Sequence, residues 1–173
     1  MSVRLVLLGL LHEKPLYGYE IKQIIEEHMG DWTSIAFGSI YFALDKLAGE
    51  GLVEKVATEQ PGNRPSRSVY QITSRGDEEF LRLLRQSWQS LERQYFDVDI
   101  CLFFLDRLSI KEVKGYLQAR VAKLEGIMRH LKSHEAEQMA IPEIPPQARA
   151  IFRHSTIHFQ SELEWTRELL SSF

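Results

Sequence analysis

The sequence of 173 residues is poor in cysteine and proline, with one cysteine and six prolines, and it has no long apolar run. A lone Cys101 excludes an intramolecular disulfide, which suits a reducing cytosol. The run Leu5 to Leu11 follows Arg4 as in a signal peptide, but it is short and no small-residue cleavage site follows it. No stretch approaches the roughly 20 apolar residues that span a bilayer. We therefore expect a soluble cytoplasmic protein without a membrane partner.

The sequence also has no large net charge and none of the common catalytic motifs. Its net charge is −3, so a nucleic-acid site would have to be a local basic patch. It contains no Gly-rich phosphate loop, no Gly-x-Ser-x-Gly, no Cys-x-x-Cys and no His-Glu-x-x-His. These absences predict no catalytic residues, no cofactor and no enzymatic activity.

The first half of the chain reads as three helices, a β-hairpin and a fourth helix. Apolar residues recur at helical spacing in Val3 to Leu11, Tyr17 to Met29 and 38–50, where Gly51 is a plausible stop. Val-, Ile- and Thr-rich segments at 52–58 and 66–73 flank the turn-forming residues 60–65. A helix then begins at Ser74, and its apolar stripe is predicted to continue to Tyr95.

The second half is predicted to be all-helical. A short apolar helix covers 96–107, and the capping box Ser109 to Glu112 starts a long helix. A Pro-rich connection at 142–146 leads to a last helix, so the two long helices should form an antiparallel hairpin. We predict a mainly α protein: a winged helix-turn-helix domain at 1–95 and a helical dimerisation and possible effector-sensing domain at 96–173.

The third helix has an unusual outer face. With Ile40, Leu44 and Leu47 buried, Ser39, Phe42 and Lys46 point to the opposite side. An ordinary solvated face would also fit this pattern. However, residues 60–76 contain three arginines (Arg64, Arg67 and Arg75) and no acid, as in a basic wing. The arrangement indicates that helix 38–50 enters a DNA major groove while the wing, residues 58–68, lies along the backbone.

Five segments together resemble the PadR family of transcriptional regulators. "LLGLLHEKPLYGYEI", "GSIYFALDKLAGEGLV" and "SVYQITSRG" match its winged helix, and "CLFFLDRLSIKEV" and "HFQSELEWTRELL" match the C-terminal helices of its longer-tailed subgroup. The resemblance implies that Ser39 and Tyr41 meet DNA and that Arg67 and Tyr70 belong to the wing motif. Together the predicted DNA-binding residues are Ser39, Tyr41, Phe42, Lys46, Arg64, Arg67, Ser68 and Tyr70.

Three positions depart from the family pattern. Phe42 stands where proline is common, Asp45 where a basic residue is frequent, and Ser68 where the wing often has lysine or arginine. Phe42 could touch a thymine methyl group, or it could pack on Tyr19 or another neighbour. These departures make sequence preference and affinity the least transferable properties.

The C-terminal helices are expected to form a homodimer. An isolated helical hairpin leaves apolar surface exposed, and the family dimerises through these helices. Two-fold symmetry predicts an inverted-repeat operator in double-stranded DNA with half-sites roughly 10 bp, or a multiple, apart. The function predicted is a ligand-responsive repressor. The alternatives are a helical protein-interaction module and a metal-responsive regulator.

Two further features concern ligands. Since some members of the family respond to phenolic acids, we predict a small aromatic or hydrophobic effector, held by five aromatic residues (Trp88, Phe96, Phe103, Phe159 and Trp165). Core packing of these residues is the alternative.

Two i, i+4 histidine pairs, His130 with His134 and His154 with His158, should lie at the same height along the helical hairpin. They could bind a metal, but solvated or hydrogen-bonded histidines fit better, and no metal is predicted.

Overall fold

The computed structural model describes residues 3–59, 67–91, 93–141 and 146–173. The chain divides into two compact units, Met1–Arg93 and Gln94–Phe173. None of the helices in the described ranges is long and apolar enough to cross a membrane.

The first unit contains four helices and three short strands. In chain order they are α1 (Val3–Glu13), β1 (Leu16–Tyr17), α2 (Gly18–Met29), α3 (Phe37–Gly49), β2 (Val53–Glu59), β3 (Arg67–Ile72) and α4 (Ser74–Gln89). The apolar residues that recur every three or four positions in α1 to α3 form one core with residues of all three strands. It comprises Leu7, Leu8, Leu11, Leu16, Ile21, Ile25, Ile40, Leu44, Leu47, Leu52, Val53 and Tyr70.

The predicted hairpin is present as β2 and β3, and a third strand, β1, extends it to a three-stranded antiparallel sheet. Its order is β1-β3-β2, with Leu16 opposite Tyr70 and Val53 opposite Ile72. The two-residue strand β1 was missed because such a short segment has no period of its own and forms only by pairing with β3. This strand ties the start of α2 to the hairpin.

The junctions around α3 and α4 follow from local chemistry. Gly51 ends the third helix with φ of 71°, a left-handed conformation that favours glycine. Thr73 caps α4 by accepting a hydrogen bond from the Gly76 N–H, and its hydroxyl lies 2.9 Å from the Gly51 carbonyl oxygen to which it donates. Thr73 therefore joins the end of α3 to the start of α4.

The fourth helix is shorter than predicted. It ends at Gln89 because Ser90 adopts an extended backbone with ψ of 135°. Leu91 and Tyr95, which the sequence placed on its apolar stripe, are outside the helix and strongly exposed. The prediction of a stripe up to Tyr95 was therefore wrong.

The second unit is helical, as predicted. It contains α5 (Asp97–Phe103), a 3₁₀ turn (Leu105–Arg107), α6 (Ile110–Met139) and α7 (Pro146–Ser171). The predicted capping box is present, since the Ser109 hydroxyl accepts from the Glu112 N–H and the Glu112 carboxylate accepts from the Ser109 N–H.

The helices α6 and α7 run antiparallel, also as predicted. Near one end Arg120 donates to Glu162, and further along the His134 ring meets Phe152 edge-on at 5.3 Å. Between them Leu124, Met128 and Leu163 form a small apolar cluster. Thr166 is fully buried, and its hydroxyl donates to the Glu162 carbonyl at 2.7 Å.

Candidate nucleic-acid interface

The outer face of α3 is exposed, as its sequence pattern predicted. Ile40 and Leu44 are fully buried, whereas Tyr41 and Phe42 are 47% and 74% exposed and Lys46 is exposed as well. Single exposed apolar side chains are common on protein surfaces, whereas a contiguous exposed group marks a candidate interaction site. The helix therefore presents two aromatic rings and an ammonium group on one side.

Lys46 has no carboxylate within salt-bridge distance in the described part of the chain, so its charge is available for another partner. The Ser39 hydroxyl is used locally: it donates to the Ala36 carbonyl oxygen at 2.5 Å and helps to begin the helix. Its oxygen can still accept a hydrogen bond.

Tyr41 is held against the start of α2. A β carbon built on Gly18 would lie 2.7 Å from Cε1 of Tyr41, so the absence of a side chain at Gly18 makes room for the ring. The neighbouring rings of Tyr17 and Tyr19 stack with centroids 5.5 Å apart. Among the described residues no ring stacks on Phe42, and its high exposure favours the DNA-facing alternative over packing on Tyr19.

The wing is described only in part. Arg64 lies outside the described residues, and so does the side chain of Arg67, whose backbone begins β3 opposite Glu59. Ser68 is half-buried opposite Thr58. The DNA contacts of these residues stay predictions.

Tyr70 requires a correction. The side chain is 5% exposed and belongs to the core, where its residue pairs with Leu16 on one side and with Lys55 on the other. A ring with so little free surface cannot offer it to a DNA strand. Its place at the centre of the sheet gives Tyr70 a supporting role beneath the wing instead of a contact.

Sequence reasoning missed a bond between α3 and β2. The Lys55 ammonium donates to the Asp45 carboxylate at 3.0 Å and lies 5.5 Å from the centre of the Tyr70 ring. The hydrogen bond to Asp45, followed by the charge interaction with Tyr70, holds the pKa of Lys55 above its usual value. Asp45, which stands where the family often has a basic residue, is thus paired with Lys55.

A second ionic group fixes the other end of α3. Arg4 in α1 bonds Glu50, which caps α3, and also Glu79 in α4, at 2.5 and 3.2 Å. Arg82 donates to the same Glu79, and this bond lowers the pKa of that carboxyl, with Arg4 adding to the effect. These contacts link three helices and hold the C-terminal end of α3 in place.

The predicted effector residues have different surroundings. Trp88 and Phe103 are 85% and 81% exposed, Phe96 stacks on His158, and Phe159 packs on the small cluster of α6 and α7. Trp165 is half-buried. Among the described residues only Phe96 and Phe159 of this set are linked by ring contacts, through His158. A shared pocket for the five stays a prediction.

Three of the four paired histidines have ring contacts with neighbouring side chains. The rings of His130 and His134 are 5.9 Å apart, but His134 also packs on Phe152, while His158 lies between Phe96 and Phe159. Within the described parts of α6 and α7, no three of the four histidines gather their ring nitrogens as a metal ion would require, and His154 is exposed.

A third helix with an exposed aromatic and cationic face, followed at once by an antiparallel hairpin, defines a winged helix-turn-helix protein of the DNA-binding class. The chain belongs to the transcriptional regulator PadR-like family, which residues 7–82 match. It is 30% identical over 129 residues to the negative transcriptional regulator PadR of Bacillus subtilis (strain 168), covering 72% of this chain and 70% of that protein.

Solved structures share the fold along nearly the whole chain. The structure of B. subtilis PadR in complex with operator DNA superposes with a TM-score of 0.79 at 21% identity and covers 98% of this chain and 97% of the other. The structure of the same regulator with p-coumaric acid gives a TM-score of 0.74 at 20% identity, covering 98% and 94%. Membership in a family of transcriptional regulators agrees with the prediction that the protein is not an enzyme.

Proposed function

We propose that the protein is a homodimeric, ligand-responsive repressor that binds an inverted-repeat operator in the cytoplasm. Helix 38–50 would contact base edges in the major groove, and the wing, residues 58–68, would contact the adjoining DNA backbone. The observation that carries the proposal is the open face of α3, where Tyr41, Phe42 and Lys46 lie together without a covering segment among the described residues. The B. subtilis relative is a negative regulator and has been crystallised with its operator.

Apolar side chains exposed in the second unit support the homodimer. Ile100, Phe104, Leu108, Ile110 and Tyr116 in the segment 100–116 are each about half exposed or more, and Phe103 is more exposed still. So many exposed apolar side chains in one short segment are unusual for a monomer. A second copy of the chain would cover them and present two α3 helices to one DNA duplex.

The proposed ligand is a small aromatic or hydrophobic effector. A relative binds p-coumaric acid, a small phenolic acid. An effector of this kind would act by favouring a dimer whose α3 helices no longer match successive grooves, and binding of effector and DNA would then oppose each other. The family does not favour the alternative of a helical protein-interaction module.

The proposal is tested by a gel shift with the DNA upstream of the protein's own gene, repeated across a salt series. Each phosphate contact contributes a slope of about −0.9 to the dependence of log affinity on log salt. Saturable binding with such a slope is expected. An absence of binding, or binding that salt does not weaken, would reject the repressor.

A further inference from the structure

Asp45 and Lys55 connect the third helix to the hairpin that follows it. Asp45 lies one turn beyond Tyr41 and Phe42, so its carboxylate stands on the same outer face of α3. The Lys55 Nζ atom, on β2, is 3.0 Å from Asp45 Oδ1. The pair spans the turn at Gly51 and joins the two elements that the proposed function assigns to DNA.

The lysine stands where β2 changes direction. Lys55 is opposite Tyr70 on β3, and the register of the two strands shifts between Lys55 and Ala57. Such a bulge bends a strand and increases its local twist. The Lys55 ammonium also lies over the buried Tyr70 ring. The lysine is therefore fixed by its own strand, by Asp45 on α3 and by a residue of the core. Residues beyond the bulge lead towards the wing tip.

The pair is too exposed to act mainly on stability. The side chains of Asp45 and Lys55 are 66% and 44% exposed, and exposed ion pairs add little to the free energy of unfolding. The hydrogen bond to Asp45 is also the main reason why the pKa of Lys55 lies above its usual value. An uncompensated Asp45 would instead turn a negative charge towards DNA phosphates.

We propose that the bond between Asp45 and Lys55 is a positioning contact for DNA binding, which fixes the angle between α3 and the hairpin and cancels a negative charge on the DNA-facing side. This inference rests on the proposed function. It assigns both residues an action through α3 and the wing, without direct contact to a base.

A double-mutant cycle tests the contact. Operator affinity is measured by fluorescence anisotropy for the full-length wild type, Lys55→Gln, Asp45→Asn and the variant with both changes. If the two charges act independently, the fold-change of the double variant equals the product of the single ones. If the contact positions α3 and the hairpin, either single change already removes it, and the second change has no contact left to remove. The double variant should therefore bind at least about twofold more tightly than that product predicts.

Two controls separate the contact from net charge and from folding. Lys123→Gln removes one positive charge from an exposed site on α6, outside the segment 100–116, and should leave affinity closer to wild type than Lys55→Gln does. Lys55→Arg keeps the ion pair and should bind within about twofold of wild type, whereas Lys55→Gln should lose several-fold. Circular dichroism checks folding, and Lys55→Met enters the cycle if Lys55→Gln is unfolded.

A coupling below twofold, or equal losses for Lys55→Arg and Lys55→Gln, would overturn the inference. Either result requires that the wild type binds its operator. If the wild type binds no DNA at all, the proposed function fails, and the two failures are thereby distinguished.

Discussion

The ring of Tyr41 lies against the α carbon of Gly18, so that a β carbon there would approach Cε1 to 2.7 Å. Gly18→Ala should therefore displace Tyr41, whose ring is partly exposed and can move. Because alanine favours helices by up to about 1 kcal/mol over glycine, the free energy of unfolding should change by less than about 1 kcal/mol. Operator affinity should fall several-fold, as anisotropy titrations can measure.

Gly126→Ala is the matched control for this change. A β carbon at Gly126, in α6 and outside the segment 100–116, would meet only the far end of the Arg129 side chain among the described residues, at 3.9 Å. It should raise stability by about 0.5–1 kcal/mol and leave operator affinity unchanged. Equal effects of the two alanines on DNA binding would contradict the role given to Tyr41.

Gly76 is predicted to be intolerant of any side chain. Its β carbon would lie 2.0 Å from the Leu52 carbonyl oxygen and 2.6 Å from Cγ1 of Ile72. Backbone cannot move aside as an exposed ring can, so Gly76→Ala should cost about 3 kcal/mol of unfolding free energy. Urea denaturation measures this, and a loss below about 1 kcal/mol would show that α4 shifts freely against the sheet.

Much of this fold can be predicted from the sequence because the residues that determine each helix lie close together in the chain. The stripe of Ile40, Leu44 and Leu47 predicted which side of α3 is buried, and Ser109 with Glu112 predicted where α6 begins. The strand β1 could not be found in this way, because only its pairing with β3 makes it a strand. The end of α4 was missed because the apolar spacing continues past Ser90, where the backbone turns away.

The site was harder to predict than the fold. Exposure of Tyr41 and Phe42 followed from helical spacing, but the bond of Lys55 to Asp45 depends on how a turn brings a strand against a helix. The family resemblance predicts a DNA contact for Tyr70 because its motif occurs in the wing. Its ring is buried because it lies on the face of the sheet that packs on the helices of the core, which the sequence pattern did not reveal.

The Glu79 carboxylate should make stability depend on pH. Its pKa is lowered in the folded protein, first by the hydrogen bond from Arg82 and then by Arg4, so the folded state binds its proton less readily. Its contribution is complete above the ordinary value of 4.5 and is lost as pH falls through the lower folded value. Glu79→Gln should cost about 1 kcal/mol at pH 7.

The same comparison at acidic pH supplies the check. As pH falls below the ordinary carboxyl value, the difference in unfolding free energy between wild type and Glu79→Gln should shrink, because Glu79 becomes neutral in both states. Urea curves at pH 7 and in acid measure it. A difference that is the same at both pH values would mean that the ion pairs do not stabilise the fold.

Leu163 should be essential to the α6 and α7 hairpin. It is buried against Leu124 and Met128, so Leu163→Glu places a carboxylate in an apolar cluster and should cost about 3 kcal/mol or more. Ser161→Glu adds the same charge at an exposed position of α7 and should be nearly neutral. Thermal melts and sedimentation would show whether folding, dimerisation or both are lost. Similar behaviour of the two variants would contradict this packing.

Arg67 and Lys46 should differ in how they affect DNA binding. Arg67→Ala should weaken binding to all sequences and flatten the salt slope by about one unit, since a phosphate contact is lost. Lys46→Ala should change affinity according to sequence if the ammonium reaches base edges. Salt titrations on the operator and on a scrambled duplex measure both effects, and identical profiles for the two variants would refute this division of roles.

The most direct measurement is to select genomic fragments that the protein binds and to footprint them while counting the bound chains. The account predicts two protected half-sites in inverted orientation, with centres roughly 10 bp or a multiple apart, and two chains on each site. Fragments without a shared sequence, or a single chain protecting a single half-site, would contradict it.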